Sequence, residues 1–142
     1  MHDDLVSIEL KEEALDSALV STHCRVENVG AFVLFEGIVR FENADDPVEF
    51  LDFEAYRPMA EKELRKISHE LFEKWDIKRV AIHHRIGRVF PGELAVIIGV
   101  GAKHRKAAFE ACAFAIDTLK ERVPIWKKQV HKSGAFWVSA HP

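Results

Sequence analysis

The chain has 142 residues, 48% hydrophobic and 30% charged, which fits one globular domain over residues 1–142 and excludes a disordered or fibrous chain. A formal net charge of -3 argues against a main role on a nucleic-acid backbone, and two distant cysteines, Cys24 and Cys112, build neither a disulfide scaffold nor a zinc knuckle. The longest apolar stretch, Leu94 to Ala102, falls far short of the roughly 20 residues of a membrane helix. The opening MHDDLVSIEL lacks the basic end and apolar run of a signal peptide, so the expectation is a soluble cytoplasmic protein.

Val6, Ile8 and Leu10 alternate with polar residues as in a strand, and a short helix carrying Leu15, Ala18 and Leu19 on one face is expected after it. GAFVLFEGIVR, from Gly30 to Arg40, is apolar on both parities and predicts a central strand covered on both faces. The acidic FENADDP then reads as the mobile tip of a hairpin that returns antiparallel from Val48 to Tyr56. Pro58 suits a first helical turn, and Ala60, Leu64, Ile67, Leu71 and Trp75 follow at helical spacing.

Val80, Ile82, His84 and Ile86 form a strand that a Pro91-Gly92 turn joins to the nearly all-apolar LAVIIGVGA. His104 to Glu121 predicts a helix apolar almost all round, the pattern of one buried in a core or at a subunit interface. Pro124 breaks it, and WKKQVHK with AFWVS predicts a last strand pair around Ser133-Gly134. The class is α+β, a mixed or antiparallel sheet with packed helices.

Cations gather at three element ends: Arg40, then Lys103-His104-Arg105, then Lys120 with Arg122, Lys127 and Lys128 around Pro124. A helix opening with His104 and Arg105 offers free N–H groups and the positive dipole end to an anion, although composition alone weighs a solvated helix start equally. The break at Pro124 lets Lys120 and Lys127 converge, and ammonium groups crowded by cations lose proton affinity and become usable acids, bases or nucleophiles. Read without further context, lysines after a helix end more often compensate its dipole in solvent.

Neighbouring His83 and His84 point to opposite faces of a strand and cannot chelate together, so no metal site is expected. Cys112 reads as core, and Glu36 as a strand acid paired with a nearby base rather than a site acid.

Four collinear blocks, GAFVLFEGIVR, FEAYRPMAEKEL, IHHRIGRVFPGELAVIIGVGAKHRKAAFEAC and IDTLKERVPIWKKQ, together resemble the large subunit of molybdopterin synthase, the MoaE family. The resemblance implies an α/β hammerhead-type fold with a small β subdomain. It implies a homodimer within a heterotetramer, with a small ubiquitin-like sulfur-carrier subunit at each end. The C-terminal Gly-Gly thiocarboxylate of that carrier would deliver sulfur to cyclic pyranopterin monophosphate, forming molybdopterin without a resident metal or cofactor. By the family's pattern Lys120 and Lys127 would be catalytic, while Arg40, His104 and Arg105 would bind substrate. The pattern departs at Gln129, where an acid is common.

Fifteen residues separate Arg105 from Lys120, about 22 Å along one helix, so if both serve one site they must come from different protomers. A non-catalytic dimeric module binding an anionic metabolite or a carrier tail would use the same basic pocket, and an RNA-binding domain is disfavoured by charge and by the lack of an aromatic strand motif.

Overall fold

The computed structural model describes residues 3–41 and 45–138. After a 3-10 turn at Asp3–Leu5 come β1 (Val6–Lys11), α1 (Ser17–Cys24), β2 (Ala31–Ile38), β3 (Val48–Ala55) and α2 (Arg57–Lys74). Then follow β4 (Ile77–Arg85), β5 (Gly87–Val89), β6 (Leu94–Ala102), α3 (Arg105–Arg122), β7 (Ile125–His131) and β8 (Gly134–Val138). The α+β class is as expected, and the strands divide between two four-stranded sheets.

The first sheet runs β1-β4-β6-β2, with β1 parallel to β4 and the remaining pairs antiparallel. The alternation of strand side chains gives its two faces different tasks. Val80, Ile82, Ile98 and Val100 join the main core with Leu64, Ile67 and Leu71 of α2 and with Ala108, Ala111 and Ala115 of α3. Ala81 and Ile97 turn the other way, to Val20 and Cys24 of α1. Gly101 lets α1 close on this second face, since a Cβ there would strike the Cys24 carbonyl.

Two expectations fail here. β2 does not form a hairpin with β3: it pairs with β6, while β3 pairs with β5 and β7 in the second sheet, ordered β5-β3-β7-β8. Nor is β2 central, because it is an edge strand. Apolar residues on both parities report cover over two faces, here by α3 and α1, and carry no information about whether both edges are paired. Part of the supposed hairpin tip, Glu42 to Ala44, lies outside the described residues.

The first helix also differs in detail. Asp16 caps it by accepting from the Ala18 N–H at 2.9 Å, so Leu15 lies before it, and Leu19 is 52% exposed while Val20 and Cys24 are buried. Eight residues give two turns, and capping rather than apolar spacing fixed where those turns begin.

The longer helices hold the frame together. Arg57 of α2 donates to the Leu10 carbonyl of β1 at 2.8 Å, and the Trp75 indole after α2 donates to Glu110 of α3 at 3.0 Å. Near the end of α3, Arg122 reaches Glu70 at 2.7 Å and 3.1 Å and Glu63 at 3.2 Å, clamping the two helices just before Pro124. Cys112 is buried, as its sequence context implied.

Candidate functional site

A cavity of about 400 Å³ opens where the two sheets meet the C-terminal end of α3. Each wall follows from a local periodicity. On α3, Ile116, Leu119, Lys120 and Val123 recur at helical spacing and face it together. On β7 the period of two turns Lys127 and Gln129 inward, opposite Phe53 and Leu51 of β3 in the antiparallel register.

Arg40 arrives from the end of β2 by another route. The β2–β6 register shifts between Gly37 and Ile38, and the next residue, Val39, is pinned to the turn before β6. Its N–H donates to Glu93 at 3.0 Å and its carbonyl accepts from Gly92 at 2.8 Å. A bulge of this kind redirects the chain leaving a strand, and Arg40 follows it to the cavity mouth. Gly37 is needed for the approach, since a Cβ there would lie 2.6 Å from Val96 Cγ1.

Three of the five residues singled out from the sequence, Arg40, Lys120 and Lys127, therefore line one cavity. Lys120 and Lys127 are half-buried and Arg40 is exposed. The other two are elsewhere: His104 caps α3 and Arg105 begins it, both exposed, neither lining the cavity. Glu36 also departs from expectation, because its carboxylate accepts from the Ser17 hydroxyl at 2.5 Å instead of meeting a base. Among the described residues, no three His, Cys, Asp or Glu gather as metal ligands.

The structure adds a residue that sequence reasoning left out. His84 and His83 do face opposite ways: His83 meets Ser7 at 2.9 Å and Glu9 at 3.3 Å, whereas His84 lines the cavity. The His84 ring packs edge-on against Phe53, with centroids 5.1 Å apart. Its Nδ1 lies 2.6 Å from the Arg85 carbonyl. A carbonyl only accepts, so Nδ1 carries the proton. Burial pushes the His84 pKa down to about 4, the Arg85 carbonyl opposing the drop and the nearby Lys127 ammonium adding to it. The ring is thus neutral at ordinary pH, with its Nδ1–H tautomer fixed and Nε2 left as an acceptor. The available signal was parity, since His84 shares the face of Val80 and Ile82.

Chemically, the cavity offers three cations from separate elements, an imidazole acceptor and an apolar floor. Such a site suits an anionic reactant with a ring system.

Known proteins bear on this arrangement. The model of the MoaE protein family matches residues 10–122. The molybdopterin synthase catalytic subunit of Pyrococcus abyssi is 45% identical over 127 residues, covering 89% of this chain and 82% of that protein. The Pseudomonas aeruginosa protein of the same description is 41% identical over 135 residues, with 94% and 90% covered. Among solved structures, the crystal structure of molybdopterin synthase from Staphylococcus aureus superposes with a TM-score of 0.88 at 40% identity, covering 92% of this chain and 95% of that one.

Proposed function

The chain belongs to the MoaE family, and on that premise we propose that the cavity bounded by Arg40, Lys120 and Lys127 is where sulfur is transferred in making molybdopterin. The chain is an enzyme of molybdopterin formation. The substrate we assign is cyclic pyranopterin monophosphate, and the donor is the C-terminal thiocarboxylate of a small ubiquitin-like carrier ending in Gly-Gly. The observation that carries this reading is the meeting of three cations, distant in sequence, on one cavity with an apolar floor.

Both reactants are anionic, and a partly buried cation cluster attracts them more strongly than one in open water. Lys120 sits on the rigid end of α3 and serves the reacting centre, stabilising negative charge on oxygen and moving a proton as sulfur attacks the precursor. Lys127 and Arg40 hold the precursor's charge. The floor of Phe53, Val96 and Leu119 suits the flat face of a pterin.

His104 and Arg105 enter the same reading through a second protomer. α3 is unbroken from Arg105 to Arg122, so its two ends cannot reach one small ligand. In a two-fold homodimer at the centre of a heterotetramer, the His104-Arg105 end of one chain completes the pocket of its partner. Phe109 on α3, 60% exposed, supports a second copy covering that helix. No helix among the described residues is long and apolar enough to cross a membrane, and the assigned reaction is a cytoplasmic one.

The test is reconstitution: purified chain, thiocarboxylated carrier and precursor, with molybdopterin formation and carrier C-terminal mass measured together. Product should appear as the carrier loses its sulfur. Tight binding of carrier and precursor without any turnover would replace this reading with that of a non-catalytic binding module.

A further inference from the structure

We propose that His84 is a positioning residue for Lys127, its Nε2 acting as the fixed acceptor that directs the Lys127 ammonium into the cavity. The inference rests on the role given to Lys127 above, and its starting point is geometry. His84 lines the same cavity as Lys127, and the two come from different sheets, β4 of the first and β7 of the second. Two contacts immobilise the ring: Nδ1 donates to the Arg85 carbonyl at 2.6 Å, and Phe53, the register partner of Lys127, meets it edge-on. With Nδ1 committed to the backbone, Nε2 cannot carry a proton in the neutral ring and presents a lone pair.

That lone pair sits among cations. Lys127 from β7, Lys120 from α3 and Arg40 from the end of β2 line the cavity, and the carboxylate of Glu36 is engaged by Ser17. A carboxylate in place of His84 would also orient an ammonium, but it would cancel one positive charge needed by anionic reactants. A neutral acceptor orients the lysine and leaves the charge in place. The Lys127 charge in turn helps keep His84 unprotonated, so each residue favours the required state of the other.

The experiment uses the intact chain with thiocarboxylated carrier and precursor. His84→Phe keeps a ring of similar volume and removes the acceptor, while His84→Gln keeps an amide oxygen. His84→Phe should slow turnover about tenfold, and His84→Gln should recover part of the loss. In a Lys127→Ala background, His84→Phe should cost less than twofold further, because a residue acting through Lys127 has nothing left to direct. Nitrogen-15 NMR of labelled histidine gives a readout without turnover: His84 should show the Nδ1–H tautomer in the wild type, and its Nε2 resonance should move in Lys127→Ala. If His84→Phe fails to fold, His84→Gln and the NMR measurement decide alone. Lys127→Ala at wild-type rate would remove the role of Lys127 itself. A slow Lys127→Ala combined with a fully additive His84→Phe, or with an unmoved Nε2 resonance, would overturn the positioning role specifically.

Discussion

At the scale of single residues, the cavity separates groups that fold the chain from groups that serve its surface chemistry. Lys120 is half-buried on the last turn of α3 and its backbone is held by the helix, so removing its side chain should cost the fold little. Lys120→Ala should keep the wild-type melting temperature within a few degrees and bind carrier normally, yet lose about 100-fold or more in rate. Retention of more than about a tenth of the rate would remove Lys120 from catalysis. Lys127→Ala and Arg40→Ala should raise the KM for the precursor more than they weaken carrier docking, since their charges face the substrate; unchanged precursor constants in both would mean that the pocket lies elsewhere.

At the scale of elements, the end of α3 is fixed by charge as well as by packing. Arg122 spans Glu63 and Glu70 on successive turns of α2, and the hydrogen bond from Arg122 holds the Glu70 carboxyl below its ordinary pKa of 4.5. The fork is multidentate but partly solvated, so about 1 kcal/mol is a fair magnitude for it. Arg122→Ala should therefore lower the melting temperature by about 3 °C at neutral pH. The pH dependence has a definite sign. A depressed carboxyl contributes stability above its unfolded value, and that contribution disappears as pH falls below 4.5 through the folded value. The difference between wild type and Arg122→Ala should close over that acid range, and a constant gap from neutral to pH 3 would show that the clamp acts by packing alone.

At the scale of the whole molecule, the question is how His104 and Arg105 reach a cavity that they do not line within their own chain. Forced mixed dimers, one chain carrying Lys120→Ala and the other Arg105→Ala, give a sharp answer. Sharing across a two-fold axis concentrates both lesions in one pocket and leaves the other wild type, so about half of normal activity should return. Pockets built within single chains would each contain one lesion. An inactive mixed dimer, with both parents inactive and correctly folded, would reject sharing.

The sequence by itself determined the α+β class, the two long helices, the antiparallel partnership of β4 with β6, and the family through its four blocks, with Lys120 and Lys127 carried over from it. These are local patterns: a stripe on a helix, alternation on a strand, a proline after a helix end. Tertiary structure alone decided that β2 and β3 part into different sheets, because a strand's faces are written in its residues while the identity of its hydrogen-bonding neighbour is not. It decided likewise that Arg40 enters beside Lys120 through a bulge at Gly37, whose missing Cβ makes room against Val96, a residue almost sixty positions on. His84 shows both sides of the division. Parity fixed which face it takes, but the cavity on that face exists only because β3 and β7 of the second sheet close over it with Phe53 and Lys127.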